Sequence, residues 1–221
     1  MDWLTTSVKF FQEGGLFMWP IAIVFALGLA IAIERWVYIT RQSSLNRSLW
    51  DELVPHLQQG NFKAAVDLTQ NSPSFIGSIL NYGLARIRTA RDRDDIEKAM
   101  AESLMEVMPK VERRTHYLSS FANIATLLGL LGTIVGLIQA FQAVGAANPA
   151  EKADLLSASI SVAMNTTAFG LIVAIPLLLI HSVIQSKTTQ LIDSLEMASV
   201  KFLNSISERQ AAAQAQVQAK A

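Results

Sequence analysis

Three long stretches of the chain contain no Asp, Glu, Lys or Arg. They are residues 14–33, 115–150 and 155–186, which are 20, 36 and 32 residues long. A helix that crosses the hydrocarbon core of a bilayer needs roughly 20 mostly apolar residues. Buried helices of soluble proteins are usually shorter and more often interrupted by charge. The pattern therefore predicts an all-α membrane protein with three transmembrane helices.

The Lys and Arg residues that flank these stretches predict how the helices are oriented. One set of helix ends carries most of the cations, namely Arg35, Arg41, Arg47, Lys110, Arg113, Arg114 and Lys187. The opposite ends carry only Lys9 and Lys152. Because cytoplasmic flanks are enriched in Lys and Arg, we expect the N-terminus to lie outside and the cation-rich ends to lie in the cytoplasm.

This orientation divides the chain into seven predicted segments. Four of them lie outside the bilayer on one side or the other, and three cross it. In order they are an interfacial segment (1–16), span 1 (17–39), a cytoplasmic insert (40–117), span 2 (118–144), a periplasmic loop (145–154), span 3 (155–186) and a cytoplasmic helix with its tail (187–221).

The cytoplasmic insert is predicted to be helical. Its apolar periodicity indicates helices at residues 44–59, 62–70 and 74–87. Gly60 is a candidate C-cap of the first, and Asn61 a candidate N-cap of the second.

A fourth helix is predicted to begin near Asp94 and to run into span 2, bent at Pro109. Span 3 is expected to continue past the bilayer through Phe202. Spans 2 and 3 would thereby extend into a cytoplasmic helical bundle.

Composition narrows the classes of function. The chain has no Cys, so disulfides, thiolate catalysis and Cys-bound zinc are excluded. Lys and Arg number 18, as do Asp and Glu, and this balance gives no support to nucleic-acid binding. No nucleophile–base pair, metal-ligand cluster or phosphate-binding loop is found in the sequence, so we do not expect an enzyme or a cofactor.

Spans 2 and 3 each carry a stripe of small and hydroxylated residues at helical spacing. Asn165 and Thr166 lie beside the stripe of span 3. The stripes consist of Ala122, Thr126, Gly129, Thr133, Gly136 and Ala140 in span 2, and of Ser159, Ala163, Thr167, Gly170 and Ala174 in span 3.

Two interpretations of these stripes stay open. Gly129, Gly132, Gly136 and Gly170 would allow close helix packing, which is common in membranes. Alternatively, the hydroxyls line a hydrated wall, since Thr and Ser can hold a chain of water molecules.

A proton pathway also needs a group that binds and releases the proton. The centres of the three spans contain no Asp, Glu, Lys or Arg. His181 lies near the cytoplasmic end of span 3, where a lone His is most often a packing residue; it is the one candidate for a cytoplasmic relay. If protons cross here, we expect another chain to supply their carrier.

Three blocks resemble the MotA/TolQ/ExbB proton-channel family, most closely its ExbB and TolQ branch. They are LLGLLGTIVG with LIQAF at residues 127–141, AMNTTAFGLIVAIP at 163–176, and MWPIAI…AIERW at 18–36.

This resemblance implies a stator subunit of the inner membrane of a Gram-negative bacterium. The family's subunits form a homo-oligomeric ring, usually of five, around an ExbD/TolR-like single-helix partner that carries an essential membrane Asp. The resemblance further implies that the energy of the proton-motive force, with H⁺ as the coupling ion, is passed to a TonB- or TolA-like protein.

The resemblance also implies roles for particular residues. Thr133 and Thr167 match pore-facing threonines. Thr126, Asn165 and Thr166 are further lining candidates because they lie on or beside the stripes, not because of the resemblance. Pro176 matches the proline of the AIP motif and joins the glycines as a helix-packing candidate.

Three positions depart from the family pattern. Thr126 stands in place of a Pro, Val162 in place of a frequent Glu, and His181-Ser182 in place of Tyr-Asn. The missing Glu strengthens the expectation of a partner Asp.

Two other classes compete with a stator subunit. One is a structural or scaffold membrane protein whose small-residue seams only pack helices. The other is a cation-coupled transporter subunit, which inverted repeats or broken helices would favour; the sequence shows neither.

Overall fold

The structure is a computed structural model that describes residues 14–87, 92–146 and 148–218. Those residues form helices and connecting turns, with no β-strand among them. The greater part of the predicted interfacial segment, residues 1–13, lies outside the described residues. The helices are α1 (Met18–Gln59), α2 (Phe62–Gln70), α3 (Phe75–Arg86), α4 (Arg93–Glu112), α5 (Thr115–Ala146) and α6 (Lys152–Gln218).

Three stretches of helix are long and apolar enough to cross a membrane, judged by length and composition. They lie in α1, in the run from α4 to α5, and in α6. The described residues therefore confirm an all-α chain with three helices able to cross a membrane, whereas the orientation and the ring remain predictions. The membrane boundaries at residues 39, 117 and 186 remain predictions.

Helix α1 continues well past span 1. It runs unbroken from Met18 to Gln59, so a separate helix beginning at residue 44 was wrong. Neither Gly nor Pro occurs between the span and residue 44, and nothing local interrupts the helix. Its predicted end is confirmed, because Gly60 adopts a φ of 75° and its N–H donates to the carbonyl of Leu57 at 3.2 Å.

The two short helices begin at side-chain caps. Asn61 Oδ1 accepts the N–H of Ala64 at 3.2 Å, and α2 covers the predicted residues 62–70. Ser74 Oγ accepts the N–H of Gly77 at 3.1 Å, which starts α3. These caps satisfy donors that a helix N-terminus leaves open, and they explain why α2 and α3 were predictable from local sequence.

The predicted continuous helix through Pro109 into span 2 was wrong. Pro109 lies inside α4, and the chain breaks later, at Arg113 and Arg114. Arg114 has a φ of 65°, a left-handed conformation that disfavours side chains with a Cβ. Its Nη1 donates to both carboxylate oxygens of Glu34 on α1, at 3.1 and 2.9 Å.

The chain forms two compact units, which we number. Unit 1 comprises Met1–Arg35 and Arg114–Ile184, and unit 2 comprises Trp36–Arg113 and Gln185–Ala221. The core of unit 1 combines α1, α5 and α6 through the buried residues Ile21, Ala122, Ala125, Val173, Ala174 and Leu177.

Unit 2 has its own buried residues. Leu53, Ile79, Leu80, Met100 and Phe202 are all fully enclosed. Their helices also make polar contacts, and one of these joins Arg93 Nη2 to Asn204 Oδ1 at 2.9 Å.

Candidate functional site

Helices α5 and α6 approach each other along their glycines. A Cβ built on Gly170 would lie 2.7 Å from the carbonyl oxygen of Ala125 and 3.0 Å from the Cα of Gly129. A Cβ on Gly129 would lie 3.3 Å from the Cα of Gly170. These atoms belong to backbones, which cannot move aside as a flexible side chain can. The two helices therefore meet where neither has a side chain. We call this contact the seam.

Two further glycines lie on the same face of α5. A Cβ on Gly136 would lie 2.9 Å from the Cβ of Ala163, and a Cβ on Gly132 would overlap the side chain of Thr166. The small residues of the two predicted stripes thus face each other within one chain. This arrangement is the close packing that small residues permit between membrane helices.

The hydroxyls of Thr133 and Thr167 contact each other across the seam. Thr167 Oγ1 also lies 2.8 Å from the carbonyl oxygen of Gly129, and Thr133 Oγ1 lies 3.3 Å from the same oxygen and 3.4 Å from that of Ala163. Each hydroxyl has a single proton, so one threonine donates to the other and the second donates to a carbonyl. Both side chains are half-buried.

This pair can exchange hydrogen-bond partners by rotating its hydroxyls. The acceptor hydroxyl keeps a free lone pair, and partial exposure leaves it open to a water molecule. The seam therefore contains one pair of polar side chains, Thr133 and Thr167, between two apolar helices.

Thr166 is bonded elsewhere and is only 2% exposed. Its Oγ1 lies 2.6 Å from the carbonyl oxygen of Gly14 and 3.0 Å from that of Val162. The hydroxyl thus joins α6 to the segment that precedes α1. Because the side chain is enclosed, we do not retain Thr166 as a pathway-lining residue.

The remaining lining candidates differ in exposure. Asn165 is half-buried. Thr126 is exposed, and its Oγ1 donates to the carbonyl of Ala122 at 3.1 Å, one turn back on its own helix. Thr126 and Thr133 are seven residues apart, about two helical turns, so they lie on similar faces of α5.

Pro176 and His181 lie further along α6. Pro176 is exposed, and because it has no N–H it leaves the carbonyl of Ile172 without its helical donor. His181 is half-buried. It follows Thr167 by 14 residues, or about 21 Å of helix. The threonine pair and His181 therefore cannot be in direct contact.

Three contacts of unit 1 were not foreseen from the sequence. The Glu34–Arg114 pair joins residues 80 positions apart, and the Thr166–Gly14 bond joins residues 152 apart. Gly15 lies next to Val162, since a Cβ built on Gly15 would be 3.3 Å from Cγ1 of that valine. No local signal marks such pairs. The described residues contain no group of three or more His, Asp or Glu side chains that could hold a metal ion.

A sequence model of the MotA/TolQ/ExbB proton channel family matches residues 71–197. This match covers more than half of the chain and includes the whole seam. The chain belongs to this family.

Curated relatives support the ExbB-like branch of the family. An ExbB homologue of Methanothermobacter thermautotrophicus, named as a biopolymer transport protein, is 28% identical over 203 residues, which are 89% of this chain and 69% of the relative. The biopolymer transport protein exbB1 of Vibrio cholerae is 29% identical over 167 residues, or 75% of this chain and 73% of the relative. The predicted resemblance is therefore confirmed, and the chain is a multi-pass membrane protein of a proton-channel family.

Proposed function

We propose that the protein is an inner-membrane stator subunit that converts proton-motive force into mechanical work. The observation that carries this proposal is the Thr133–Thr167 contact, which places two half-buried hydroxyls between the spans that the family shares. We propose that these hydroxyls, with Asn165 and Thr126, form one wall of a hydrated path for H⁺.

This wall lacks its own proton carrier. The centres of the spans contain no acidic residue, and Val162 occupies the position where a family member often has Glu. We therefore propose an ExbD/TolR-like partner, whose single helix brings an Asp beside the threonines.

The energetics favour a carrier that changes its charge. An ionised carboxylate at mid-bilayer is unfavourable by about 2.5–3.5 kcal/mol, and hydroxyls with water reduce that penalty. Protonation removes the charge, so the neutral acid can leave the polar wall. A proton that crosses a potential of 100 mV supplies about 2.3 kcal/mol, several times RT, which is enough to bias a rotational step.

We further propose the topology and assembly expected from the sequence. The N-terminus lies outside, and five copies form a ring around the partner helices. The exposed apolar side chains of α5 and α6 are consistent with a chain surrounded by lipid and by neighbouring subunits. They include Leu127, Leu130, Ile134, Ile138, Ile172, Ile175 and Leu179.

The powered process is proposed from the relatives' names. Both curated relatives are named for biopolymer transport, which favours a TonB-dependent-transport-like system over a Tol-Pal-like one. A TonB/TolA-like protein would then receive the mechanical work.

A second function remains in competition: a scaffold whose seam only packs helices. The observation in its favour is that both threonine hydroxyls have hydrogen-bond acceptors inside the chain. A scaffold would need its glycines but not its hydroxyls.

Reconstitution separates the two functions. The protein would be purified with and without a co-expressed single-helix partner, placed in liposomes, and tested for proton flux under an imposed potential. A stator subunit should form an oligomer that retains its partner and conducts only with it. A stable monomer in native mass spectrometry, or equal flux with and without the partner, would contradict the proposal.

A further inference from the structure

Two adjoining cavities lie between α1 and α6 within unit 2. The upper cavity has a volume of about 520 Å³ and begins at Ile39 and Lys187. The lower cavity has a volume of about 280 Å³ and extends to Lys201. Ser43, Arg47 and Ser194 line both, so the two form one continuous hollow.

This hollow carries positive charge without an acidic counterpart. Arg47 lines both cavities, Lys187 lines the upper one and Lys201 the lower one, and no Asp or Glu lines either. Within the part of the chain that the structure describes, none of these three cations forms an ion pair. The hollow is therefore suited to an anion.

Hydrogen-bond donors accompany the charge. Thr40, Ser43 and Gln190 contribute two hydroxyls and an amide to the upper cavity. Ser194 also lines it, but its hydroxyl already donates to the carbonyl of Leu191 at 2.6 Å. Such groups hold phosphate oxygens in many proteins, alongside Arg and Lys.

Asn46 forms part of the wall of the lower cavity. It is only 5% exposed, and its Oδ1 accepts the N–H of Ile76 at 3.1 Å. That bond orients the amide and leaves Nδ2 buried without a hydrogen-bond partner. A buried donor without an acceptor is unfavourable. Because Nδ2 is also closed to a water-sized molecule, Asn46 forms part of the wall and does not itself contact a ligand.

The position of the hollow along the chain identifies the kind of anion. Span 1 is predicted to end at Ile39, and Lys187 is the first residue after the predicted end of span 3. The ammonium of Lys187 lies 4.7 Å from the ring centre of Trp36, and Trp is enriched at the membrane–water interface. The upper cavity thus opens at the level where cytoplasmic-leaflet headgroups are expected, and that leaflet carries anionic lipids.

We infer that this hollow binds the phosphate group of an anionic phospholipid, with Arg47 and Lys187 as its principal contacts. The hydroxyls of Thr40 and Ser43 and the amide of Gln190 complete the hydrogen bonding to the headgroup. This site is separate from the Thr133–Thr167 pair. It depends on the predicted ends of the spans but not on ion flux.

Native mass spectrometry of the full-length protein in detergent tests the site. Phosphatidylglycerol, phosphatidylcholine and inorganic phosphate would be titrated separately onto the wild type, Arg47→Gln and Lys187→Gln. The matched control is Arg41→Gln, because Arg41 is an exposed cation on the same helix that lines neither cavity. Arg47→Lys keeps the charge.

We expect the wild type to retain phosphatidylglycerol in preference to phosphatidylcholine. Each cation removed from the hollow should weaken that retention about fivefold, whereas Arg41→Gln should not change it and Arg47→Lys should recover most of it. Circular dichroism and the oligomer mass would establish that each variant is folded.

Two results would overturn the inference. One is equal retention of the two lipids, and the other is equal behaviour of Arg47→Gln and Arg41→Gln. Binding of inorganic phosphate that is lost in Arg47→Gln, without any lipid preference, would support the phosphate site and overturn its assignment to a lipid.

Discussion

Gly129 and Gly170 meet backbone to backbone: a Cβ on either one would lie within 3.3 Å of the other's Cα. The contact joins α5 to α6 at the level of the threonine pair, since Thr167 Oγ1 bonds the carbonyl of Gly129. The close approach of these two glycines therefore sets the distance between Thr133 and Thr167.

The first prediction concerns this contact. Gly170→Ala should lower the stability of the detergent-solubilised protein by about 1–3 kcal/mol, because the added methyl meets the carbonyl of Ala125 and the backbone of Gly129. The loss of stability would be measured by monitoring thermal unfolding with circular dichroism.

Gly145→Ala is the matched control for that prediction. Gly145 also lies in α5, but a Cβ there would meet nothing within 4 Å. Ala is the better helix former, so this variant should be neutral or slightly stabilised. Equal destabilisation of the two variants would contradict close packing at the seam.

The second prediction concerns the threonine hydroxyls. Thr133→Val and Thr167→Val should assemble normally but lower partner-dependent proton flux about fivefold, because each removes a hydroxyl of the proposed hydrated wall and about 1 kcal/mol of stabilisation along the path corresponds to about that factor. Flux into liposomes, normalised to assembled complex, is the measurement.

Serine provides the control for hydroxyl chemistry. Thr133→Ser and Thr167→Ser keep the hydroxyl and should retain most of the flux. Full flux in both valine variants would favour the scaffold.

The third prediction separates Thr166 from that pair. Thr166→Val should destabilise the protein by about 1–3 kcal/mol, since it leaves the carbonyl of Gly14 without its donor in a buried place. Flux per assembled complex should change much less than in Thr167→Val. A variant of normal stability with abolished flux would return Thr166 to the candidate pathway.

The fourth prediction concerns the break between α4 and α5. Arg114→Gly and Arg114→Ala both lose the ion pair with Glu34, but only Gly adopts a φ of 65° without penalty. The Ala variant should therefore be less stable than the Gly variant by about 1 kcal/mol. Melting temperatures that rank Ala above Gly would show that the left-handed residue is not required.

The fifth prediction concerns His181. Replacement by Phe should leave both assembly and flux nearly unchanged, because His181 lies about 21 Å along the helix from Thr167. Flux in liposomes over a range of pH would test this. A folded but inactive His181→Phe protein would identify a relay near the cytoplasmic exit.

Local sequence was sufficient to predict those helix ends that depend only on neighbouring residues. Asn61 predicted the start of α2, Gly60 predicted the end of α1, and apolar periodicity predicted a helix over residues 74–87, which the structure starts with a Ser74 cap. It was insufficient at Arg114, whose carboxylate partner lies 80 positions away. Local sequence also could not distinguish Thr166 from Thr167, which are adjacent residues of the same type. The structure encloses Thr166 against Gly14, whereas Thr167 is half-buried and contacts Thr133.

The sequence by itself determined three uncharged spans, their helical form, and membership of a proton-channel family, because hydropathy, capping and motif spacing are properties of adjacent residues. Only the tertiary structure decided which members of the small-residue stripes meet. It paired Thr133 with Thr167, enclosed Thr166 against Gly14, and opened a cationic hollow beside Arg47. Those outcomes depend on how each helix is rotated and staggered against its neighbour, and an offset of one residue turns a side chain by about 100° around the helix axis.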